Sequence, residues 1–99
     1  MQNGKKIYRA MCLEEHDKTI ANGRASFDTK RFKWFSHNLS FILERVRDGK
    51  FNNSNFKPDR YIHVLEFDWL DDKCDYISEN EIQFDRRRNP TIRFVREIT

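Results

Sequence analysis

Glycine, proline and cysteine are scarce in this chain, and no long hydrophobic run occurs. Its 99 residues include three glycines, two prolines and two cysteines. The wide spacing of the glycines excludes a P-loop and a GxGxxG fingerprint, because both motifs need glycines a few residues apart. No segment approaches the roughly 20 apolar residues of a membrane-spanning helix. The start, MQNGKK, lacks an apolar stretch after its lysines, so we expect neither a signal peptide nor a membrane protein.

The residues that usually ligate metals or form disulfides show no recognisable spacing. Cys12 and Cys74 lie far apart, and we predict that both are reduced small hydrophobic residues of a cytoplasmic protein. His16, His37 and His63 are not spaced with cysteine or carboxylate in any zinc pattern. The sequence therefore predicts no metal site, and it predicts His63 to be a core residue with its hydrogen bonds satisfied.

What the chain does have is aromatic residues and charge of both signs. Hydrophobic residues make up only 37%, but 14% are aromatic and nine are phenylalanine. A core of a few large side chains is therefore expected, within a single domain that spans 1–99. Charged residues make up 35%, and the net charge is +3 with a pI near 9.0. This mild excess permits a polyanionic partner without requiring one.

Hydrophobic periodicity predicts two helices. The clearer one lies within 37–51, where four apolar residues share one stripe: Leu39, Ile42, Leu43 and Val46. Asn38 is a suitable N-cap there, and Gly49 a suitable stop. The other helix lies within 13–24 and ends before Gly23, with weaker helical spacing: Leu13, Asp17, Ile20 and Ala21.

Alternating patterns predict the strands, at 6–12, 31–36, 60–69, 74–78, 81–85 and 91–98. The segments 74–78 and 81–85 are either two short strands or one bent strand, and 52–59 is a polar loop. Segment 60–69 is largely apolar on both faces, which predicts a central strand. The element order β-α-β-α-β-β-β predicts an α+β fold with two helices packed on one largely antiparallel sheet of about five strands.

A dispersed set of polar residues carries the one family resemblance. Arg9 lies on the apolar face of the first strand, Ser36 ends the second strand after Trp34, and Glu79 and Glu81 border a late strand. With the stretches IYRAMCLEEHDKTIANG and FKWFSHNLSFILERV, this arrangement resembles the ADP-ribosyltransferase fold. That family has an arginine on the first strand, a serine motif on the next core strand and a glutamate on a late strand.

The resemblance implies an NAD-binding protein or enzyme. Arg9 would contact the NAD diphosphate, and Ser36 would support the nicotinamide pocket, with Trp34 or Phe35 available for stacking. The catalytic carboxylate would be Glu81, with Glu79 as the alternative. It would hold the ribose 2′-OH and stabilise an oxocarbenium-like transition state.

Each of these residues also has a structural interpretation. Arg9 would pair with Glu66 or Asp68 on a neighbouring strand, and Ser36 would serve helix entry before Asn38. Glu79 and Glu81 would be solvated acids at strand edges. In the stretch 30–35 the alternation predicts aromatic side chains inward and lysine and arginine outward. The run 86–88 is a solvated turn or a phosphate-binding loop.

Three functions therefore remain open. The first is a small binding or interaction domain without catalysis and without a cofactor, which uses an aromatic-lined sheet face or cleft for a ligand or protein partner. The second is the NAD-binding relative. The third is RNA or single-strand nucleic-acid binding through four neighbouring residues: Lys30, Arg31, Lys33 and Trp34.

The sheet face with Tyr61, Phe67 and Trp69 has little helix to cover it. An uncovered apolar face is typical of a protein interface, so we also predict a homodimer.

Overall fold

The computed structural model describes residues 5–25, 27, 31–49 and 61–99. These residues form six strands, two α-helices and one 3-10 turn. In chain order the elements are β1 (Lys5–Met11), α1 (Leu13–Asn22), β2 (Phe32–Phe35), α2 (Leu39–Arg47), β3 (His63–Trp69), β4 (Tyr76–Ile77), β5 (Ile82–Asp85), the turn Arg86–Arg88, and β6 (Ile92–Glu97). The predicted loop at 52–59 lies outside the described residues.

The α+β class and the two helices are confirmed, but the single sheet of about five strands is not. Two antiparallel sheets form instead: the first in the order β1-β3-β6, and the second in the order β2-β5-β4. Tyr8 and Ser36 join them through two backbone hydrogen bonds, of 2.7 and 2.9 Å. Because Ser36 is where the chain leaves β2 for α2, the β1–β2 pairing stops at this bridge and the sheets separate.

The main core lies between the two sheets and is largely aromatic. Phe35 of β2 contacts Phe67 of β3 and Phe84 of β5 edge to face, each with ring centroids 5.3 Å apart. Trp69 meets Phe84 in the same way at 5.2 Å. Phe67 and Trp69 are 0% and 3% exposed, so the prediction of an uncovered face at these residues is wrong. The second sheet covers that face, which a single sheet would have left open.

Helix α2 packs on the opposite face of the first sheet. Its Ile42 joins Ala10 of β1 and Val64 of β3 in a second, smaller core. The Asn38 side chain accepts a hydrogen bond from the Phe41 amide at 3.2 Å, and Gly49 has a positive φ of 68°. Both predicted ends of α2 are therefore confirmed. Strand β3 is apolar on both faces, which explains its central position. Leu65 packs in the main core and Val64 in the second core.

Helix α1 buries polar rather than apolar residues. Leu13 and Ile20, which mark its apolar spacing, are 56% and 44% exposed, whereas Thr19 is fully buried. Gly23 ends the helix with φ 70°, and its amide donates to the Thr19 carbonyl at 2.8 Å. The helix thus turns its polar face, with Glu15, towards β1 and β2.

Candidate functional site

The cation on β1 has its partner on the following helix. Arg9 donates from Nε and Nη2 to the two carboxylate oxygens of Glu15, at 2.6 and 3.1 Å. Lys33 of β2 also reaches Glu15, with Nζ 2.9 Å from Oε2. The side chains of Arg9, Glu15 and Lys33 are only 12%, 16% and 4% exposed. These three residues form a buried ion cluster.

This cluster corrects two predictions. Arg9 does not pair with Glu66 or Asp68, because those acids lie on the other face of the first sheet. There they bind other cations: Lys6, Arg93 and Arg96. The alternation in β2 also differs from the one predicted: Lys33 points inward on the same face as Phe35, while Trp34 is 43% exposed. The inward lysine is stable because Glu15 supplies a buried countercharge.

The ion cluster makes stability depend on pH. Burial acts to raise the pKa of Glu15, but the charges and hydrogen bonds of Arg9 and Lys33 outweigh it, so the pKa lies below its ordinary 4.5. The stability from Glu15 is therefore present above the unfolded-state pKa and is lost as pH falls through the lower folded-state pKa. We expect the stability difference between the wild type and Glu15→Gln to shrink below about pH 4.5. Urea titrations of both proteins at a series of pH values, from neutral to about pH 3, measure this difference. A difference that does not change with pH would contradict the lowered pKa of Glu15.

The residues of the NAD hypothesis lie in one region but are engaged locally. Besides Glu15, Arg9 binds the Trp34 carbonyl through Nη1 at 2.8 Å. The buried Ser36 hydroxyl accepts from the Asn38 amide at 3.0 Å, a bond typical of helix entry. Glu81 borders the turn between β4 and β5, where its amide donates to the Ser78 hydroxyl at 3.2 Å. Glu79 is exposed on the same turn.

The residues of the nucleic-acid hypothesis divide between surface and interior. Lys30 lies outside the described residues, and Lys33 is buried in the ion cluster. Arg31 pairs with Asp85 at 3.1 Å and lies 4.8 Å from the Phe32 ring. Trp34 is exposed and meets the exposed Tyr76 edge to face, with centroids 6.0 Å apart. The outer face of the second sheet therefore carries aromatics, with fewer available cations than the sequence predicts.

A cavity of about 640 Å³ lies elsewhere, at the β6 edge of the first sheet. Residues 23–25 run beside β6 and are hydrogen-bonded to it. The Ala25 amide donates to the Ile92 carbonyl at 3.0 Å, and the Phe94 amide donates to the Gly23 carbonyl at 2.9 Å. The lining includes both polar and apolar residues: Asn22, Gly23, Arg24, Ala25, Phe27, Leu70, Arg86, Asn89, Pro90, Thr91, Ile92 and Arg93.

Three arginines line this cavity, and two of them oppose each other directly. Arg24 and Arg93 form an antiparallel bridge, so their side chains leave neighbouring backbones at the same level. Like charges directly opposite across strands are unfavourable. Arg93 also pairs with Asp68 at 2.7 Å, and Arg86 is the third arginine of the lining. Three arginines and no acidic residue are therefore among the described residues that line the cavity.

Asp71 holds the loop beside the cavity in place. Its carboxylate accepts from the Trp69 indole at 2.9 Å and from the amides of Lys73 and Thr91 at 3.0 and 2.8 Å. Burial acts to raise the pKa of Asp71, and these hydrogen bonds outweigh it and lower the pKa. Since Thr91 lines the cavity, this part of its wall is held by tertiary hydrogen bonds.

A third cluster was missed by the sequence analysis. His16 of α1, His63 of β3 and Glu97 of β6 place their ligand-type atoms within 4.8 Å of one another. The hydrogen bonds of His16 to Asp17 and then to Glu97 outweigh burial and raise the pKa of His16. Positions 16, 63 and 97 have no motif spacing, because strand register and helix packing bring them together. No signal in the sequence could have found this cluster.

Comparison with protein-family models, with curated proteins and with solved structures finds no match to the chain. Among the helices of the described segments, neither has the length and apolarity needed to cross a membrane. The ADP-ribosyltransferase resemblance, NAD as cofactor, nucleic acid as partner, the homodimer and the cytoplasmic location all stay predictions.

Proposed function

We propose that this protein is a small binding domain that takes an organic phosphate in the cavity beside β6, without a catalytic step. The observation that carries the proposal is the direct opposition of Arg24 and Arg93 in the wall of a cavity that Arg86 also lines. Guanidinium groups bind phosphate oxygens through paired charge-assisted hydrogen bonds, so a phosphate group would add a countercharge at these arginines beside Asp68, which already pairs with Arg93.

The size and the apolar part of the lining support an organic ligand rather than a bare ion. A volume of about 640 Å³ is typical of small-molecule sites, which span roughly 300–1,000 Å³. Phe27, Leu70 and Pro90 are apolar residues of the lining that are not part of the buried core. A phosphate group would lie at the arginines, and the carbon skeleton of the ligand would contact these three side chains.

The test is an NMR titration of the isotope-labelled protein with pyrophosphate, ATP and adenosine. We expect saturable shifts with ATP, with a dissociation constant at or below about 1 mM. The shifts should cluster at 22–25 and 86–93, and pyrophosphate should shift the arginines more than the apolar residues. Adenosine, which has no phosphate, should not saturate the site. Absence of clustered shifts with ATP would contradict the proposal.

A pair of arginine variants separates a built site from general attraction to a basic protein. Arg24→Gln should weaken ATP about tenfold, because it removes a charged hydrogen-bond donor from the cavity wall. Arg47→Gln changes the net charge equally, but its side chain is 72% exposed at the end of α2. It should leave the affinity unchanged. Equal weakening by both variants would show non-specific electrostatics.

The same titration with NAD tests the second function. If NAD shifts residues 9, 34–36 and 81 instead of the cavity, the ADP-ribosyltransferase hypothesis gains support. That outcome requires Arg9 to exchange its bonds with Glu15 for bonds with the diphosphate. If NAD shifts the cavity residues as ATP does, it binds there only as one more organic phosphate.

A further inference from the structure

The cluster of His16, His63 and Glu97 joins three elements that lie far apart in the chain. His16 is in α1, His63 begins β3, and Glu97 ends β6. The His16 side chain is 17% exposed and the Glu97 side chain 44%, so the cluster lies at the surface with one partly buried side. None of the three residues lines the cavity beside β6. The cluster is therefore separate from the proposed phosphate site.

The ring of His16 is oriented on both sides by carboxylates. Its Nδ1 lies 3.0 Å from Asp17 Oδ1, and its Nε2 contacts Glu97 Oε1. In the metal-free protein Nε2 donates a proton to Glu97. A metal ion would replace this proton, and with the Nδ1 proton held by Asp17 the Nε2 lone pair would be the ligand. A carboxylate on the second nitrogen of a histidine is the usual arrangement behind a metal-bound imidazole.

His63 supplies a second imidazole with an uncommitted nitrogen. Its ring lies beside that of His16, with centroids 4.8 Å apart and planes inclined by 39°. Across residues 5–25, 27, 31–49 and 61–99, no hydrogen bond is formed by the His63 ring. A cation between the two imidazoles and the carboxylate would interact favourably with all three donors at once.

We propose that His16, His63 and Glu97 bind one divalent transition-metal ion, zinc being the ion that suits them best. Two imidazole nitrogens and one carboxylate oxygen match the ligand preference of Zn²⁺ and leave one coordination position for water or a further ligand. Tetrahedral ligands at the usual zinc distances lie about 3.3 Å apart. Donor atoms that already lie within 4.8 Å need only side-chain rotation to reach this spacing.

An ion bound by His16, His63 and Glu97 would link helix α1, the start of β3 and the end of β6. Because the three ligands come together only in the folded chain, the ion stabilises the folded state over the unfolded one. We expect Zn²⁺ in excess to raise the midpoint of thermal unfolding by about 5 °C or more. Mg²⁺ should not, because it prefers oxygen ligands and retains its waters.

The experiment is isothermal titration calorimetry of ZnCl₂ into the metal-free protein, prepared without a polyhistidine tag. We expect one ion per chain, with a dissociation constant of about 1 µM or lower. Co²⁺ added in place of Zn²⁺ should give the intense visible absorption of a four-coordinate site with nitrogen ligands, and Zn²⁺ should bleach it. Failure to bind at about 100 µM Zn²⁺ would overturn the proposal.

The three histidines of the chain provide a matched set of variants. His16→Gln and His63→Gln should each weaken zinc more than about tenfold, since loss of a ligand costs more than loss of an outer carboxylate. His37→Gln is the control, because His37 is exposed after β2 and outside the cluster. It should bind as the wild type does. Retained affinity in His63→Gln, or equal loss in His37→Gln, would overturn the assignment.

Two further variants keep the test valid if a histidine variant fails to fold. Glu97→Gln removes the charged ligand at a side chain that is 44% exposed, and circular dichroism without metal should match the wild type. Asp17→Asn leaves all three ligands but removes the carboxylate behind His16, and it should weaken zinc about tenfold. Unchanged zinc affinity in folded Glu97→Gln would also overturn the proposal.

Discussion

Replacing Glu15 with alanine is expected to lower the free energy of unfolding by about 3–5 kcal/mol. The substitution leaves the Arg9 guanidinium and the Lys33 ammonium, 12% and 4% exposed, without the carboxylate that both contact. Charges held this far from water need a countercharge, because their desolvation is not otherwise repaid. Urea unfolding at neutral pH, followed by circular dichroism, measures the loss.

Glu14→Ala is the matched control for this experiment. Glu14 lies in the same first turn of α1 and carries the same charge, so both variants lose the same favourable interaction with the helix dipole. Its side chain is 73% exposed and lies 3.5 Å from Lys18. A surface pair of this kind contributes at most about 1 kcal/mol. Equal losses for the two variants would show that the ion cluster is not buried as described.

The result for Glu15 also bears on the NAD hypothesis. A large loss of stability would show that the buried cations Arg9 and Lys33 require the Glu15 carboxylate as a structural countercharge. A diphosphate could then recruit Arg9 only by disrupting that interaction. A small loss would mean that the guanidinium is able to change partners, which the hypothesis needs.

Replacing Phe67 with alanine is expected to cost about 3–5 kcal/mol. Phe67 is fully buried on β3 and meets Phe35 of the second sheet at 5.3 Å and Phe94 of β6 at 6.1 Å. Truncation removes its burial and both edge-to-face contacts, and it leaves a cavity between the sheets. Because few apolar residues form this core, neighbouring side chains have little capacity to refill the space.

Phe32→Ala tests whether the loss at Phe67 comes from the layer between the sheets. Phe32 lies on the outer face of the second sheet, is 38% exposed and is covered by Arg31 at 4.8 Å. Its truncation should cost about 1 kcal/mol, the typical size of such an exposed cation–π contact. Comparable losses at Phe32 and Phe67, in the same denaturant titration, would contradict the packing of the two sheets.

Local physical chemistry is enough to predict most elements of this chain. Asn38 and Gly49 mark the ends of α2 because a side-chain acceptor and a positive φ are needed there, whatever the tertiary fold. The two-sided apolar pattern of 60–69 correctly predicts β3 as the central strand, since both faces of such a strand must be covered.

Predictions failed where a side chain's environment depends on a distant partner. Alternation indicates that Lys33 and Phe35 lie on the same face of β2. It does not indicate that Glu15 of α1 will supply the countercharge that allows Lys33 to lie on the buried face. The same holds for Phe67 and Trp69, which a single sheet would expose and the second sheet covers.

The sequence by itself determined the α+β class, the two helices, the approximate positions of the strands and the central place of β3. These follow from periodicity and capping, which act over a few residues. Only the tertiary structure decided the division into two sheets, the pairing of Arg9 with Glu15, the opposition of Arg24 and Arg93, and the meeting of His16, His63 and Glu97. Those depend on strand register and helix packing across tens of residues, where no local spacing carries the information.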